Sequence, residues 1–190
     1  HQQIVDGGLE PGDPGDQDDS APQEAQTTDS DPKRALVRQE LAKRALMRRS
    51  LLNFIGNLSS APGGYKAGWV HKLICAKLER FAKDIRAGRS PRLMLFMPPR
   101  TGKSEIASKM FPAWYLGHNP NHELIACSYA VALPMDFSRK IKEVLQSKTY
   151  EHVFPRARLD RNAKAAEGWK TTEGGAYVAA GVSGPITDKG

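Results

Sequence analysis

The chain has 190 residues, enough to bury one sizeable core. Residues 1–32 hold nine acids and no Lys or Arg, so the remainder carries 28 basic and 12 acidic residues. That surplus suits a polyanionic partner, DNA above all, although a solvated basic surface explains it as well. The chain has two cysteines far apart, which argues against a disulfide framework and a zinc site. No apolar run approaches the ~18 residues of a membrane span. We expect a soluble protein of a reducing, intracellular compartment.

The first 32 residues are rich in Asp, Gly, Pro, Gln and Ser and contain few large apolar side chains. Such a segment buries too little surface to offset its ordering entropy, so we predict a disordered acidic tail over residues 1–32. The chain opens on His1 rather than Met and stops at Gly190 within a glycine-rich stretch, which suggests a fragment of a longer protein.

A basic amphipathic helix is predicted next, within a unit of residues 33–60. Asp31-Pro32 supplies an N-cap acid and a proline for the first helical position. Apolar residues then recur at roughly helical spacing from Lys33 to about Asn57, and seven lysines and arginines fill the other faces. This helix either contacts DNA phosphates or an acidic partner, or it is an ordinary surface helix. After a loop over residues 59–64, a second helix is predicted to run to about Arg86 and to end at Gly88.

The following stretch has the layout of a phosphate-binding P-loop. A short apolar strand over residues 92–97 leads through a proline-stiffened loop into Gly102-Lys103-Ser104, which opens a helix. The glycine allows close approach of phosphates, and the lysine reaches the β- and γ-phosphates of ATP. The serine hydroxyl binds Mg²⁺, and the N-terminus of the helix attracts the anion.

The motif is incomplete, because the full pattern has a glycine five residues before Gly102, where Met97 stands. A Gly-Lys-Ser tripeptide also arises by chance and then marks only a helix start. The flanking strand and helix, with a second strand at the distance of a βαβ unit, favour nucleotide binding. Tyr65 and Trp69 stand upstream, where many motor ATPases place groups that stack on adenine, but core packing explains them equally.

The rest of the chain continues an α/β pattern. The helix from Lys103 has an inner face of Ile106, Met110 and Trp114, with Pro112 bending it and Gly117 as its C-cap. Further predicted elements are a buried parallel strand over 123–129, a helix over about 132–147, and a β-hairpin in which 169–171 and 176–179 flank Glu173-Gly174-Gly175. The order predicts an α/β fold with a partial P-loop NTPase domain over residues 61–190, preceded by helices and the acidic tail.

Hydrolysis of ATP requires a Walker B carboxylate that holds Mg²⁺ and a group that activates water. No apolar run ending in acids follows Ser104, and Leu159-Asp160 between two arginines is predicted to be loop. We therefore expect MgATP binding without efficient turnover. Arg100 is either an arginine finger for the γ-phosphate, or a residue that neutralises phosphate charge in the ground state or faces solvent.

The histidine pair His118 and His122 has the i,i+4 spacing of a zinc site. Asn119-Pro120-Asn121 between them breaks the helix that such a site needs, which argues against a metal role.

Several stretches taken together are more specific than the P-loop alone. They are Pro98-Pro99-Arg100-Thr101-Gly102-Lys103-Ser104-Glu105, Phe111-Pro112-Ala113-Trp114-Tyr115-Leu116-Gly117, Asn119-Pro120, Ser128-Tyr129, Phe154-Pro155, residues 169–175, Gly181-Val182, Ile186-Thr187, Ser50-Leu51-Leu52 with Phe54, and Trp69-Val70-His71. In this combination residues 33–190 resemble the ATPase domain of tailed-phage large terminase subunits.

The resemblance implies a subunit of an ATP-driven motor that packages viral DNA, with a RecA-like ATPase fold and a separate RNase H-like nuclease in full-length members. It implies double-stranded DNA, a portal protein and a small terminase subunit as partners, and a homo-oligomeric motor ring. The expected location is the cytoplasm of the bacterial host, transiently at the portal vertex of the procapsid.

The resemblance also implies roles for individual loop residues. By this resemblance, residues 102–104 are nucleotide ligands. Lys103 is the catalytic lysine that stabilises charge on the transferring phosphoryl group. Thr101 is a further nucleotide ligand and Arg100 a further catalytic candidate. Some terminases carry the loop arginine one residue earlier, where Pro99 stands here, and the family's Walker B, coupling and nuclease acids would follow the last residue of this chain.

Two other interpretations stay open. The chain could belong to another P-loop translocase such as a helicase, which would lack a downstream nuclease domain. Alternatively, it is a basic DNA-binding module with an incidental Gly-Lys-Ser, which would bind DNA with a steep salt dependence whether or not MgATP is present.

Overall fold

The computed structural model describes residues 32–59, 64–162 and 165–182, which form a mixed α/β structure. The elements in chain order are α1 (Pro32–Arg49), α2 (Leu51–Leu58), α3 (Trp69–Arg86), a π-helix (Glu105–Met110), α4 (Phe111–His118), β1 (Glu123–Ser128), α5 (Ala132–Leu145), α6 (Lys148–Val153), β2 (Gly168–Lys170) and β3 (Ala176–Gly181). Several predictions fall outside the described residues: the acidic tail over 1–31, residues 60–63 of the first loop, and the end segment 183–190 with Ile186-Thr187. Within the described ranges, no helix combines the length and the apolar character needed to cross a membrane.

The single basic helix predicted from Lys33 to Asn57 is wrong, because two helices, α1 and α2, occupy this stretch. Ser50 between them has an extended backbone, with φ −132° and ψ 121°, and its hydroxyl accepts a hydrogen bond from the Asn53 N–H. Serine competes for helix backbone donors through its side chain and therefore favours N-cap positions, which the apolar periodicity does not reveal.

Helix α3 agrees with the prediction over its whole length. Ile74 and Leu78 on its inner face are buried, and the chain leaves the helix through Gly88 with φ +73°. The Glu79 carboxylate accepts a hydrogen bond of 2.7 Å from the Leu51 N–H, at the start of α2. This contact satisfies one of the unpaired N–H groups of α2 and ties it to α3.

The strand predicted over residues 92–97 is wrong as a sheet strand, because the described sheet has only three strands, in the order β1-β3-β2. Leu95 and Met97 pack against the core, whereas Met94 and Phe96 are 78% and 87% exposed. The residues alternate as in a strand, yet they have no ladder partner among the described residues. An apolar run predicts extended backbone but does not supply the neighbouring strand that a ladder requires.

The sheet therefore pairs the second strand of the predicted βαβ unit with a segment that lies outside that unit. β1 pairs in parallel with β3, from Glu123 opposite Ala176 to Ser128 opposite Gly181. α5 and the short helix α6, which was not predicted, lie in the connection between these two strands. The parallel pairing predicted for this strand is confirmed, whereas its predicted burial is wrong, because β1 is covered on alternate residues only and Ile125 is 61% exposed.

The predicted hairpin is confirmed. β2 pairs antiparallel with β3, and Gly174 in the connecting turn has φ +89°. Trp169 and Tyr177 stack across the hairpin with ring centroids 5.4 Å apart, and the Trp169 indole donates a hydrogen bond to the Ser138 hydroxyl of α5. The hairpin is thereby fastened to the helical layer.

The helix predicted from Lys103 is confirmed, with Ile106, Met110 and Trp114 buried as expected. Its first part is the π-helix, in which the Phe111 N–H bonds to the Ile106 carbonyl. The helix continues through Gly117 to His118, so the prediction of Gly117 as C-cap is wrong.

Candidate phosphate-binding loop

The backbone of residues 98–104 turns sharply between the segment 92–97 and the helix. φ is +60° at Arg100 and +78° at Gly102, and Thr101 between them has a negative φ. Alternating signs of φ turn successive N–H groups toward one side and create a concave surface that binds anions. Among the described residues Arg100 is the sole non-glycine residue with positive φ, a conformation that costs about 1–2 kcal/mol.

Three amide groups at this turn have no hydrogen-bond acceptor among the described residues. Within the described part of the chain, the N–H groups of Gly102, Lys103 and Ser104 donate to no acceptor. The Gly102 carbonyl accepts a hydrogen bond of 3.0 Å from the Ile106 N–H and so begins the helix that continues to His118. The N-terminus of this helix carries partial positive charge, which adds to the attraction of an anion.

The predicted side-chain ligands stand around these amides. Lys103 is half-buried and forms no ion pair with any described residue, whereas the ammonium of Lys109 lies 3.3 Å from a Glu105 carboxylate oxygen. Ser104 is exposed, and the Thr101 hydroxyl donates a hydrogen bond of 2.8 Å to the Pro98 carbonyl. Lys103 therefore keeps its charge available to a ligand.

Arg100 is exposed at the turn itself. Its backbone, rather than its guanidinium, is the part that shapes the loop, because the positive φ at this position sets the direction of the following amide.

The structure adds His71 of α3, which the sequence indicated only as part of the family resemblance. Its Nε2 lies 3.1 Å from the Thr101 carbonyl oxygen, and its Nδ1 lies 3.0 Å from the Gly68 nitrogen. Gly68 precedes the first residue of α3, so His71 occupies the third helical position, as the acceptor of a capping box does. That spacing was the signal in the sequence.

The two upstream aromatics differ. Trp69 is 76% exposed, so it is not a core aromatic, and its indole is available to a ligand or partner. The Tyr65 ring packs near His71 at a centroid distance of 5.8 Å, and its buried hydroxyl has no hydrogen-bond partner in the described residues. Burial, reinforced by nearby Cys75 and Glu105, raises the pKa of Tyr65.

Leu159-Asp160 lies outside the named strands, as predicted, and makes one isolated β-bridge, from Leu159 to Thr171. The Asp160 carboxylate accepts a hydrogen bond of 2.8 Å from the Asn162 N–H, a local turn contact. Asp160 also borders a cleft of about 550 Å³, together with Arg158 and Lys142. None of the residues that line this cleft belongs to the candidate phosphate-binding loop, residues 98–104.

The histidine pair makes separate structural contacts. The His118 Nε2 lies 2.8 Å from the Arg48 carbonyl oxygen, and the His122 Nδ1 lies 2.8 Å from the Tyr115 hydroxyl. No group of three or more metal-ligating side chains is present in the ranges that the structure covers.

Both cysteines are free thiols. Cys127 is exposed, whereas burial, with a smaller contribution from Glu79, raises the pKa of Cys75 to about 11.

Comparisons of the chain with protein-family models, with curated proteins and with solved structures found no match.

Proposed function

We propose that residues 98–104 bind the phosphates of MgATP in a P-loop NTPase domain of RecA-like type. The observation that carries this proposal is the alternation of φ signs from Arg100 to Lys103, together with three N–H groups at a helix start that have no acceptor among the described residues. An incidental Gly-Lys-Ser at an ordinary helix start needs neither a strained arginine nor a concave run of amides.

The residues of the loop suit a triphosphate. The amides of Gly102, Lys103 and Ser104 would bind phosphate oxygens, and the Lys103 ammonium would neutralise charge on the β- and γ-phosphates. The Ser104 hydroxyl would bind the Mg²⁺ that accompanies the nucleotide, while Thr101 holds the loop closed through Pro98. ATP would supply the phosphoryl group whose transfer drives a motor, and binding is the step proposed for these residues.

Within this proposal the chain is the nucleotide-binding part of a large terminase subunit, and double-stranded DNA is its principal partner. The exposed face of α3 supports a DNA contact. Four exposed cations lie on this face, opposite the buried one: Lys72, Lys77, Arg80 and Lys83. Cations spaced along one helical face match the phosphates of a nucleic acid backbone. The portal protein, the small terminase subunit, a ring of copies of this chain and a location in the host cytoplasm and at the portal vertex rest on the resemblance alone.

The test is MgATP binding by the 190-residue chain, measured by calorimetry for the wild type, Lys103→Ala and Lys109→Ala. Removing the Lys103 charge should weaken binding by about 10- to 100-fold, the value of one charged hydrogen bond. Lys109→Ala removes a cation that is paired with Glu105 and Asp136, so its affinity should stay near that of the wild type. Equal MgATP affinity of Lys103→Ala and the wild type would sink the proposal.

The same proteins separate the second candidate function, a basic DNA-binding module. Its prediction is DNA binding that falls steeply with salt, with no response to MgATP and no effect of Lys103→Ala. This outcome, combined with an absence of MgATP binding, would favour the module over the motor. A helicase or other P-loop translocase shares the MgATP result, and it differs from a terminase in lacking a nuclease domain.

A further inference from the structure

His71 makes two hydrogen bonds that determine how its ring is protonated. The Gly68 N–H can only donate, so the Nδ1 atom at 3.0 Å must be the acceptor and carries no proton. The Thr101 carbonyl can only accept, so the Nε2 atom at 3.1 Å must carry the proton. The ring is therefore neutral, with its proton on Nε2, and it bridges the start of α3 to the loop.

The bond to Thr101 orients the next amide. In a trans peptide the C=O and N–H point in opposite directions, so holding the Thr101 carbonyl toward His71 directs the Gly102 N–H away from α3. That N–H is one of the three loop amides that donate to no acceptor within the described ranges. The imidazole also closes the space behind Gly102, since an ideal Cβ there would lie 3.5 Å from Nε2.

The helix that carries His71 is well anchored. Ile74, Cys75, Leu78 and Ala82 of α3 are buried in the main core, so the ring projects from a rigid element toward a loop that is largely exposed. Precise placement of a ligand-binding amide requires such a support.

We infer that His71 is a positioning residue for the phosphate-binding loop: it holds the Thr101–Gly102 peptide so that the Gly102 N–H faces the nucleotide phosphates. The inference rests on the proposed function, because it assigns a role in that same site. It does not require His71 to touch the nucleotide.

The first test needs no nucleotide. The ¹⁵N spectrum of the His71 ring, assigned with His71→Gln as the blank, should show a protonated Nε2 and an unprotonated Nδ1 at neutral pH. A ring with the proton on Nδ1, or a mixture of both tautomers as in a free histidine, would overturn the hydrogen-bond network and the inference with it.

The second test separates the two bonds of His71. Asparagine places an oxygen near the position of Nδ1 and keeps the Gly68 contact, whereas glutamine places an amide N–H near Nε2 and keeps the Thr101 contact. His71→Asn should weaken MgATP binding by roughly 3- to 10-fold, the value of one hydrogen bond, and should lower the urea midpoint by no more than that same bond contributes. His71→Gln should bind MgATP nearly as the wild type does, and Lys66→Ala, which removes an exposed cation upstream of α3, is the control.

The outcomes distinguish this inference from the proposed function. Wild-type affinity in His71→Asn, or equal losses in the Asn and Gln variants, would overturn the positioning role while a loss in Lys103→Ala still supports the P-loop. No MgATP binding by the wild type would overturn the P-loop and the inference together.

Discussion

Gly117 in α4 packs directly against an aromatic ring, and this contact reverses the usual effect of a helical glycine. A Cβ at Gly117 would lie 2.6 Å from Cγ and Cδ2 of Phe154, and 2.8 Å from Cδ1. The ring has little room to retreat, because its centroid lies 5.2 Å from that of Tyr150, 5.1 Å from His118 and 6.0 Å from Phe54. Gly117→Ala must therefore displace α4 or this aromatic cluster.

Two opposing free energies set the size of the effect. Alanine for glycine inside a helix normally stabilises by about 0.5–1 kcal/mol, while overpacking a core typically costs about 1–3 kcal/mol. We expect Gly117→Ala to lower the free energy of unfolding by about 0.5–2 kcal/mol. For a chain of this size the melting temperature should fall by roughly 2–4 °C per kcal/mol.

Urea denaturation followed by circular dichroism measures this change, with Gly56→Ala as the matched control. Gly56 is also helical, in α2, but among the described residues no atom beyond its chain neighbours and its own helix backbone lies within 4 Å of its ideal Cβ, so alanine there should be neutral or stabilising. Phe154→Leu should remove part of the penalty of Gly117→Ala in the double variant. If Gly117→Ala is as stable as the wild type, the close contact described here is wrong.

Two further predictions concern Arg100 and His118. Arg100→Gly should raise the free energy of unfolding relative to Arg100→Ala by up to about 1 kcal/mol, since glycine adopts φ +60° without steric cost; equal unfolding midpoints of the two variants would contradict the strain. Burial lowers the pKa of His118 below 6.5, against the opposing effect of its bond to the Arg48 carbonyl, so the unfolded chain binds this proton more readily. The stability contribution of neutral His118 is complete above pH 6.5 and is lost as the pH falls from there toward the folded-state pKa, by at most about 1.4 kcal/mol per pH unit. As the pH is lowered from about 8 to about 5, the urea midpoint should therefore fall less in His118→Gln than in the wild type. Parallel plots of urea midpoint against pH for the two proteins would refute this.

The sequence by itself determined the elements whose signals are local. The periodicity of α3 and of the helix from Lys103 depends on residues three and four positions apart, and the hairpin depends on a glycine turn between two short strands. The candidate loop is equally local, because proline, glycine, lysine and serine within a few residues dictate where a backbone can turn and begin a helix.

The tertiary structure decided every feature that joins distant parts of the chain. The run 92–97 encodes extended backbone but not a partner, so the parallel pair formed between β1 and β3 instead. His71 reaches Thr101 across 30 positions, and Gly117 packs on Phe154 across a strand and two helices. Such contacts depend on the relative placement of packed elements, which is set by burial of the whole core rather than by the propensities of neighbouring residues.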